Sequence, residues 1–489
     1  METNDQKNFD YEKIGLKCGL EIHQQLDTSK LFCGCQSILR QDNSDFEIRR
    51  KLHAVAGESG EVDVAARHEA EQEKEFIYQG YNDTNCLVEL DEEPPHEINK
   101  DALKTAIQIS FLLNCVIIPI TQIMRKTVVN GSNTGGFQRT LLIASNGWVE
   151  TNYGRVGIEG VLLEEDSARL VSKSENGKEI VYRLDRLGIP LVEIATSPDI
   201  KSAEQAKEVA LHIGALLRRC RVKRGIGTIR QDINISIKGS NRVELKGFQD
   251  QKIMALAVNN EITRQLSFLN KGEKNSSEVR NVLPDGKSEF LRPMPGPARM
   301  YPETDLPLLK ISREFIDEAK KEIQESEKNI NFGLKSRGLN NDMVNLLLKE
   351  KTLEDFKELL KIRDDPQLIV KMLFIFPKEI ASKEKISLLK VKKLLNKDSL
   401  AIILEGINDG KIKEDQAKQV ISRVLKGESI INSMKFEKQD IREIEEQIMN
   451  IIKEKPGLSA NAYMGLAMKE FSGKISGKEA IEIIKKYLK

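Results

Sequence analysis

The segment Lys17–Gln25, KCGLEIHQQ, alternates: Cys18, Leu20 and Ile22 fall on one side of an extended chain, and Gly19, Glu21, His23 and Gln25 on the other. Successive side chains of a strand point to opposite faces, so the pattern predicts a strand with one apolar face and one face carrying a carboxylate and an imidazole. The alternation returns in TIRQDINISIKGSNRVELKGF, where Ile229, Ile233, Ile235 and Ile237 alternate with Arg230, Asp232, Asn234 and Ser236. A turn at Gly239–Asn241 then leads into Val243–Lys246, with Val243 and Leu245 opposite Glu244 and Lys246, which predicts a hairpin. Two segments carry helical spacing instead: DALKTAIQISFLLN from Asp101, and SAEQAKEVALHIGALLRRC, with Ser202 and Glu204 at its start and arginines at its end. Both are predicted to cover the apolar face of the sheet. From Ser312, SREFIDEAKKEIQESEKNI and DMVNLLLKEKTLEDFKELLKI read as amphipathic helices continuing through Leu425. A break at KGESIINSMKFEKQD precedes a last run of short helices joined by Gly-containing turns. The pattern predicts an α+β catalytic part over residues 1–310, an all-α domain over 311–427 and a small helical tail domain over 428–489.

A chain of 489 residues is too long for one ordinary core, and 39% hydrophobic residues suffice for several. No uncharged apolar run of about 18 residues is long enough to span a bilayer. The opening METNDQKNFDYEK lacks the basic and apolar regions of a secretory signal. A soluble, cytoplasmic protein without membrane partners is expected. Six cysteines (Cys18, Cys33, Cys35, Cys86, Cys115 and Cys220) do not make a disulfide framework in so long a chain. With a net charge of +1, only local clusters can point to nucleic acid. The clearest is LLRRCRVKRGIGTIRQD, with Arg218, Arg219, Arg221, Lys223, Arg224 and Arg230. It reads either as a solvated helix end or as a phosphate-binding patch.

Several groups on the strands can carry chemistry. Glu21 and His23, two residues apart, leave one face about 7 Å from each other, which suits ligands converging on one cation or a surface ion pair. In GVLLEEDSARL, Glu164, Glu165 and Asp166 repel one another unless water or a cation intervenes. Glu193, set among Leu191, Val192, Ile194 and Ala195, needs a partner because an unpaired buried charge is costly. The hairpin adds Arg230, Asp232, Asn234, Glu244 and Lys246 on its polar face. Oxygen ligands mixed with cations on one sheet face are what a magnesium–nucleotide site requires. NGSNTGGFQR, Asn130–Arg139, reads as a backbone lid over phosphates or as a plain hairpin turn; it is neither a Walker A nor a GxGxxG sequence. No Ser/His/Asp or Cys/His grouping and no GxSxG is evident, so no covalent nucleophile is expected. Cys33, Cys35 and Cys86 form a zinc site only if a residue such as His53 or His96 supplies the fourth ligand.

In this order, GLEIHQQLDTSKLFCGC, EEDSARL, DRLGIPLVEIATSPDI, RQDINISI, VELKG and ARMYPETDLP resemble the B/E-type subunit of the glutamyl-tRNA(Gln) amidotransferases, from about Lys17 to the C-terminus. HQQLDT, NGSNTGGFQRT and CLVELDEEPPHEIN look more like the archaeal E form. The resemblance implies a catalytic core like the antiparallel sheet of glutamine synthetase, then a helical domain and a tail that grips tRNA. It implies a carbon–nitrogen ligase that uses ATP and magnesium to phosphorylate the side-chain carboxylate of glutamate on misacylated tRNA(Gln). Ammonia then displaces phosphate to give Gln-tRNA(Gln). An asparaginase-like partner amidase in a heteromeric complex would supply the ammonia, which accords with the missing nucleophile. By matching motifs, Glu21, His23 and one of Glu164 or Glu165 would be metal ligands, with Glu193 and Glu244 also at the site. Arg230 and Lys246 are candidates for phosphate contact by charge, and Arg186, Asp232 and Asn234 for nucleotide contact. Two departures stand out. The E form usually carries an insert resembling part of aspartyl-tRNA synthetase before ARMYPETD, where this chain has only RQLSFLNKGEKNSSEVRNVLPDGKSEF. The bacterial form has a second Cys pair, of which only Cys86 has a counterpart here. A noncatalytic tRNA-binding or assembly subunit is the alternative, and a ligase acting on free glutamate a third reading.

Overall fold

The computed structural model describes residues 9–56, 60–248, 253–296, 299–349, 352–436, 441–471 and 477–488. The chain forms two compact units, Met1–Glu325 and Ser326–Lys489. The first is α+β and is built on an eleven-stranded sheet. At its centre Lys17–Gln25 lies antiparallel between Ile229–Ser236 and Pro190–Thr196. Outward on one side follow Val243–Lys246, Glu278–Val282 and the edge strand Ser288–Pro293. On the other side follow Gly154–Glu165, Phe137–Thr151, Met124–Thr127 and the edge strand Met300–Pro302.

The alternation read from the sequence sorts the two faces. Cys18, Leu20, Ile22, Ile194, Ile233 and Ile235 are buried in one core with the helices Lys100–Leu112 and Ala203–Leu217. Asn99 and Ser202 cap those helices by accepting hydrogen bonds from backbone N–H groups of the first turn. A third helix, Met254–Asn270, also packs into this core, and the predicted pattern lacked it. Topology requires it: Val243–Lys246 and Glu278–Val282 pair in parallel, and parallel neighbours need a crossover connection. The stretch that read as merely polar, Arg264–Phe290, thus holds the end of this helix and a strand of the sheet.

The two edge strands constrain the sheet's curvature. Laid flat at about 4.8 Å per strand, the path from Ser288–Pro293 to Met300–Pro302 would be roughly 43 Å wide. The chain from Pro293 to Met300 reaches at most about 25 Å. The sheet therefore curls, and its polar face is the concave one, since Glu21, His23 and Glu193 of the central strands share one cavity with Arg292 and Met300 of the two edge strands. A small four-stranded sheet, Phe46–Arg50, Glu75–Gly80, Glu179–Arg183 and Arg169–Lys173, has its own core around Phe76, Tyr78 and Tyr182.

The helix Arg313–Ser336 runs through the boundary between the units. Its first turns bury Ala319 against the first unit's core, with Phe315 and Ile316 packed beside it. The compact unit therefore extends past residue 310, where the composition changes. The second unit is helical among its described residues, with one core spanning Leu334 to Met434 and a separate one spanning Ile444 to Ile484. Among the described residues no helix is long and apolar enough to cross a membrane.

Candidate active site

Strand register brings the polar residues together. On the concave face His23 stands directly opposite Glu193 on one neighbouring strand and Arg230 on the other; Glu21 stands opposite Asp232, and Asn234 opposite Glu244. Directly paired residues on one face have side chains in reach of each other. Here they line a cavity of about 620 Å3 that also receives Glu164, Lys126, Gln138, Arg242, Lys246, Arg292 and Arg299.

Ligand atoms of Glu21, His23 and Glu193 lie within 4.8 Å of one another, and so do those of Glu21, Asp232 and Glu244. Glu21 belongs to both groups. His23 Nε2 is 3.3 Å from Glu193 Oε2. Lys126 Nζ lies 2.5 Å from Glu164 and 3.4 Å from Glu193. On the other flank Lys246 Nζ sits 2.8 Å from Asp232 and 2.5 Å from Glu244. Asn234 donates to Glu21 Oε1 at 2.8 Å. The donor set, carboxylate oxygens with one imidazole, fits a hard divalent cation such as magnesium.

The charges respond to this crowding. Burial, with the Glu193 and Glu244 carboxylates next, raises the Glu21 carboxyl above its ordinary 4.5. Burial alone would raise Glu193 as well, but Lys126 and His23 outweigh it and hold it well below 4.5. Burial opposes protonation of His23, yet the Glu193 hydrogen bond and charge raise it above 6.5. Lys126 and Lys246 remain cationic despite burial because their carboxylate partners outweigh it.

Some residues singled out in the sequence sit elsewhere. Glu165 faces away from Glu164: its carboxylate accepts from Arg139 N at 3.2 Å and lies 3.4 Å from that guanidinium, outside the cavity lining. Of the pair, only Glu164 reaches the concave face. Arg186 does not line the cavity either. Its guanidinium donates to the carbonyls of Ser167 and Ala168 at 2.7 and 2.9 Å, which fixes the turn after Glu165. Asp166, 1% exposed, receives Gln25 at 2.6 Å and Arg230 at 3.0 Å, and so braces Arg230 at the cavity edge. Lys246 is held by two carboxylates rather than standing free for phosphate. The Asn130–Gly136 stretch is a pinned hairpin turn: Tyr78 donates to the Gly131 carbonyl at 2.8 Å, and Thr134 to that of Glu89 at 2.5 Å. In the basic run, Arg221 lies 3.3 Å from Asp101, and Lys223 donates to the Ser37 carbonyl.

Cys33, Cys35 and Cys86 do converge, and Glu89, not His53 or His96, is the fourth group, with all four ligand atoms within 4.8 Å. His96 is instead paired with Glu93 on the surface, 3.2 Å away. Burial, with the nearby Glu89 charge, pushes the Cys35 thiol up to about 12. Three thiols and a carboxylate at these separations fit a tetrahedral zinc ion. Glu89 escaped the sequence reading because a search for Cys and His passes over a carboxylate in CLVELDEE. Lys126, Gln138, Arg292 and Arg299 escaped it because each is a lone polar residue whose place on the concave face depends on strand pairing.

Comparison with known proteins agrees with this architecture. The GatB/GatE catalytic domain matches residues 16–317, and the GatB domain matches residues 354–488. The E subunit of the glutamyl-tRNA(Gln) amidotransferase of Methanocaldococcus jannaschii is 35% identical over 98% of this chain and 99% of its own length. That of Methanococcus maripaludis is 32% identical over 99% of both chains. That of Methanothermobacter thermautotrophicus is 33% identical over 91% of this chain and 94% of its own. The first of these alignments runs over 637 positions, against 489 residues here, so a sizeable part of the relative faces gaps. With its catalytic-domain match, its C-terminal match and this end-to-end similarity, the chain belongs to the GatB/GatE family, in a form shorter than its archaeal E-type relatives.

Proposed function

We propose that the chain is the tRNA-dependent amidotransferase subunit of an archaeal-type complex. In this reading it converts Glu-tRNA(Gln) to Gln-tRNA(Gln) through a γ-glutamyl phosphate made from ATP, with ammonia delivered by an asparaginase-like partner. The observation that carries the proposal is the convergence of Glu21, His23 and Glu193 on the floor of a cavity ringed by cations. Activation is chemically required: a carboxylate resists attack by ammonia, whereas an acyl phosphate carries a good leaving group. The curled, mostly antiparallel sheet with carboxylates on its concave face supports likeness to the glutamine synthetase core.

Glu21, His23 and Glu193, with Asp232 and Glu244 beside Glu21, would hold magnesium, whose charge makes the transferred phosphoryl group electrophilic. Lys126 and Lys246 offset the repulsion among these acids and keep them together before any ion arrives. Arg230, braced by Asp166, directs a fixed positive charge at the cavity edge. Cys33, Cys35, Cys86 and Glu89 would hold a zinc ion that ties the CGC loop to the segment bearing Glu89. Purified chain supplied with ATP, magnesium, ammonium and Glu-tRNA(Gln) is expected to form Gln-tRNA(Gln) without the amidase. No product, while a known amidotransferase works alongside, contradicts the proposal.

A further inference from the structure

Beside the cluster of Cys33, Cys35, Cys86 and Glu89 lies a fifth group, Lys30, which is fully buried. Burying an ammonium is costly unless it is paired and hydrogen-bonded. Lys30 Nζ lies 3.4 Å from Glu89 Oε1 and donates to the Leu184 carbonyl at 3.3 Å. The backbone of the same residue closes the CGC loop, since Lys30 N donates to the Cys35 carbonyl at 3.0 Å. Glu89 is thus held from three sides. Lys30 and the Cys33 thiol, which donates at 2.8 Å, meet at Oε1, and the Cys86 backbone N–H donates to Oε2 at 2.8 Å. Gly188 leaves room for the pair: its φ is +83°, and an added Cβ would come within 3.3 Å of both Glu89 Oε1 and Lys30 Cδ. Charge gives this arrangement a purpose beyond packing. A divalent ion binds thiolates, so its arrival sends the three thiol protons to solvent. Three thiolates and one carboxylate then exceed the charge of the ion by two, and Lys30 brings that excess down to one. In a buried place an uncompensated charge is expensive, and carboxylates that ligate a metal are themselves held by an outer hydrogen-bond partner.

We propose that Lys30 is the built-in counter-ion of this site: a positioning residue that aims the Glu89 carboxylate at the metal and offsets the negative charge the four ligands gather. This deepens, and rests on, the reading of Cys33, Cys35, Cys86 and Glu89 as a zinc site. It also ties the ion to the turn Leu184–Gly188, where Leu31 N donates to the Gly188 carbonyl at 2.8 Å. That turn leads into the strand Pro190–Thr196, which carries Glu193.

The test is metal binding by the full chain, with cobalt(II) as spectroscopic probe and zinc(II) measured by competition with a chromogenic chelator. Wild type is compared with Lys30→Met, Lys30→Gln, Glu89→Gln and the double variant Lys30→Met/Glu89→Gln. Wild type is expected to show the thiolate-to-cobalt charge-transfer band and the visible bands of a tetrahedral site. Lys30→Met should bind zinc about ten- to hundredfold more weakly, the usual scale for losing an outer partner of a metal ligand. Lys30→Gln keeps a donor for the Leu184 carbonyl without the charge; it should show the same loss, and it decides the matter if Lys30→Met does not fold. In the Glu89→Gln background the cost of Lys30→Met should be smaller, because no carboxylate remains to be offset. Wild-type zinc affinity in the Lys30 variants overturns the counter-ion and leaves the zinc site standing. So does a loss of equal size in both backgrounds, because that pattern marks packing rather than charge. A wild-type chain that gives no thiolate–cobalt band overturns the zinc reading and the counter-ion with it.

Discussion

Glu303, 1% exposed, is the residue on which one edge of the curled sheet is fastened. Its oxygens lie 2.9 and 2.6 Å from Arg125 and 2.8 Å from Arg139. Burial would raise its pKa, but the Arg125 hydrogen bond, the Asp305 backbone N–H and Arg139 outweigh burial and hold it below 4.5. A depressed carboxyl contributes stability above its unfolded value and loses it as pH falls through the folded value. Stability of the first unit is therefore expected to decline as pH drops below 4.5, and Glu303→Gln should remove that part of the decline. The variant also leaves the buried Arg139 and the half-buried Arg125 guanidiniums without this carboxylate, a cost of about 3 kcal/mol at neutral pH. Trp148, the single tryptophan of the chain, lies in the first unit and reports its unfolding by fluorescence in urea. A variant with wild-type stability at pH 7 would show that the Arg125–Glu303–Arg139 group contributes nothing net.

At the scale of elements, the hairpin turn after Met124–Thr127 lines a second cavity of about 290 Å3 through Asn130 and Ser132. Gly131 holds it there: its φ is +86°, and an added Cβ would come within 2.1 Å of the Phe76 ring. Gly131→Ala combines left-handed strain with a ring clash, so a loss of at least about 1 kcal/mol in stability to urea is expected. Wild-type stability in the variant would show that the turn accommodates a side chain at this position. The strands themselves were legible because period-2 alternation fixes both their existence and their polar face. Glu21, His23, Asp232 and Asn234 could thus be assigned to one surface from the alternation alone. Register was not legible, since which residue faces which across strands depends on turns and crossovers distant in sequence. That is why Glu164 and Glu165 could not be told apart, and why Lys126, arriving from a four-residue strand, went unseen. The helix Met254–Asn270 escaped for a related reason: the segment from Arg264 onward was weighed by its polar composition, whereas the parallel strand pair it serves becomes visible only in the assembled sheet.

At the scale of the whole chain, the parts proposed for catalysis and for RNA binding have separate cores. Among the described residues, the tail core is made of residues from Ile444 to Ile484. A chain ending at residue 436 is therefore expected to keep ATP binding and the fold of the first unit, while its affinity for tRNA falls at least about tenfold. Equal tRNA affinity in gel-shift titrations would move the RNA grip out of the tail. The central claim is that the concave sheet face makes an acyl phosphate from the glutamyl carboxylate. Its most direct test supplies Glu-tRNA(Gln) carrying 18O in the side-chain carboxylate, with ATP, magnesium and ammonium. Mass spectrometry of the released phosphate should find one 18O atom for each Gln-tRNA(Gln) formed, and Glu21→Gln should yield neither product nor labelled phosphate. Gln-tRNA(Gln) accompanied by unlabelled phosphate, or full activity in Glu21→Gln, would contradict the account.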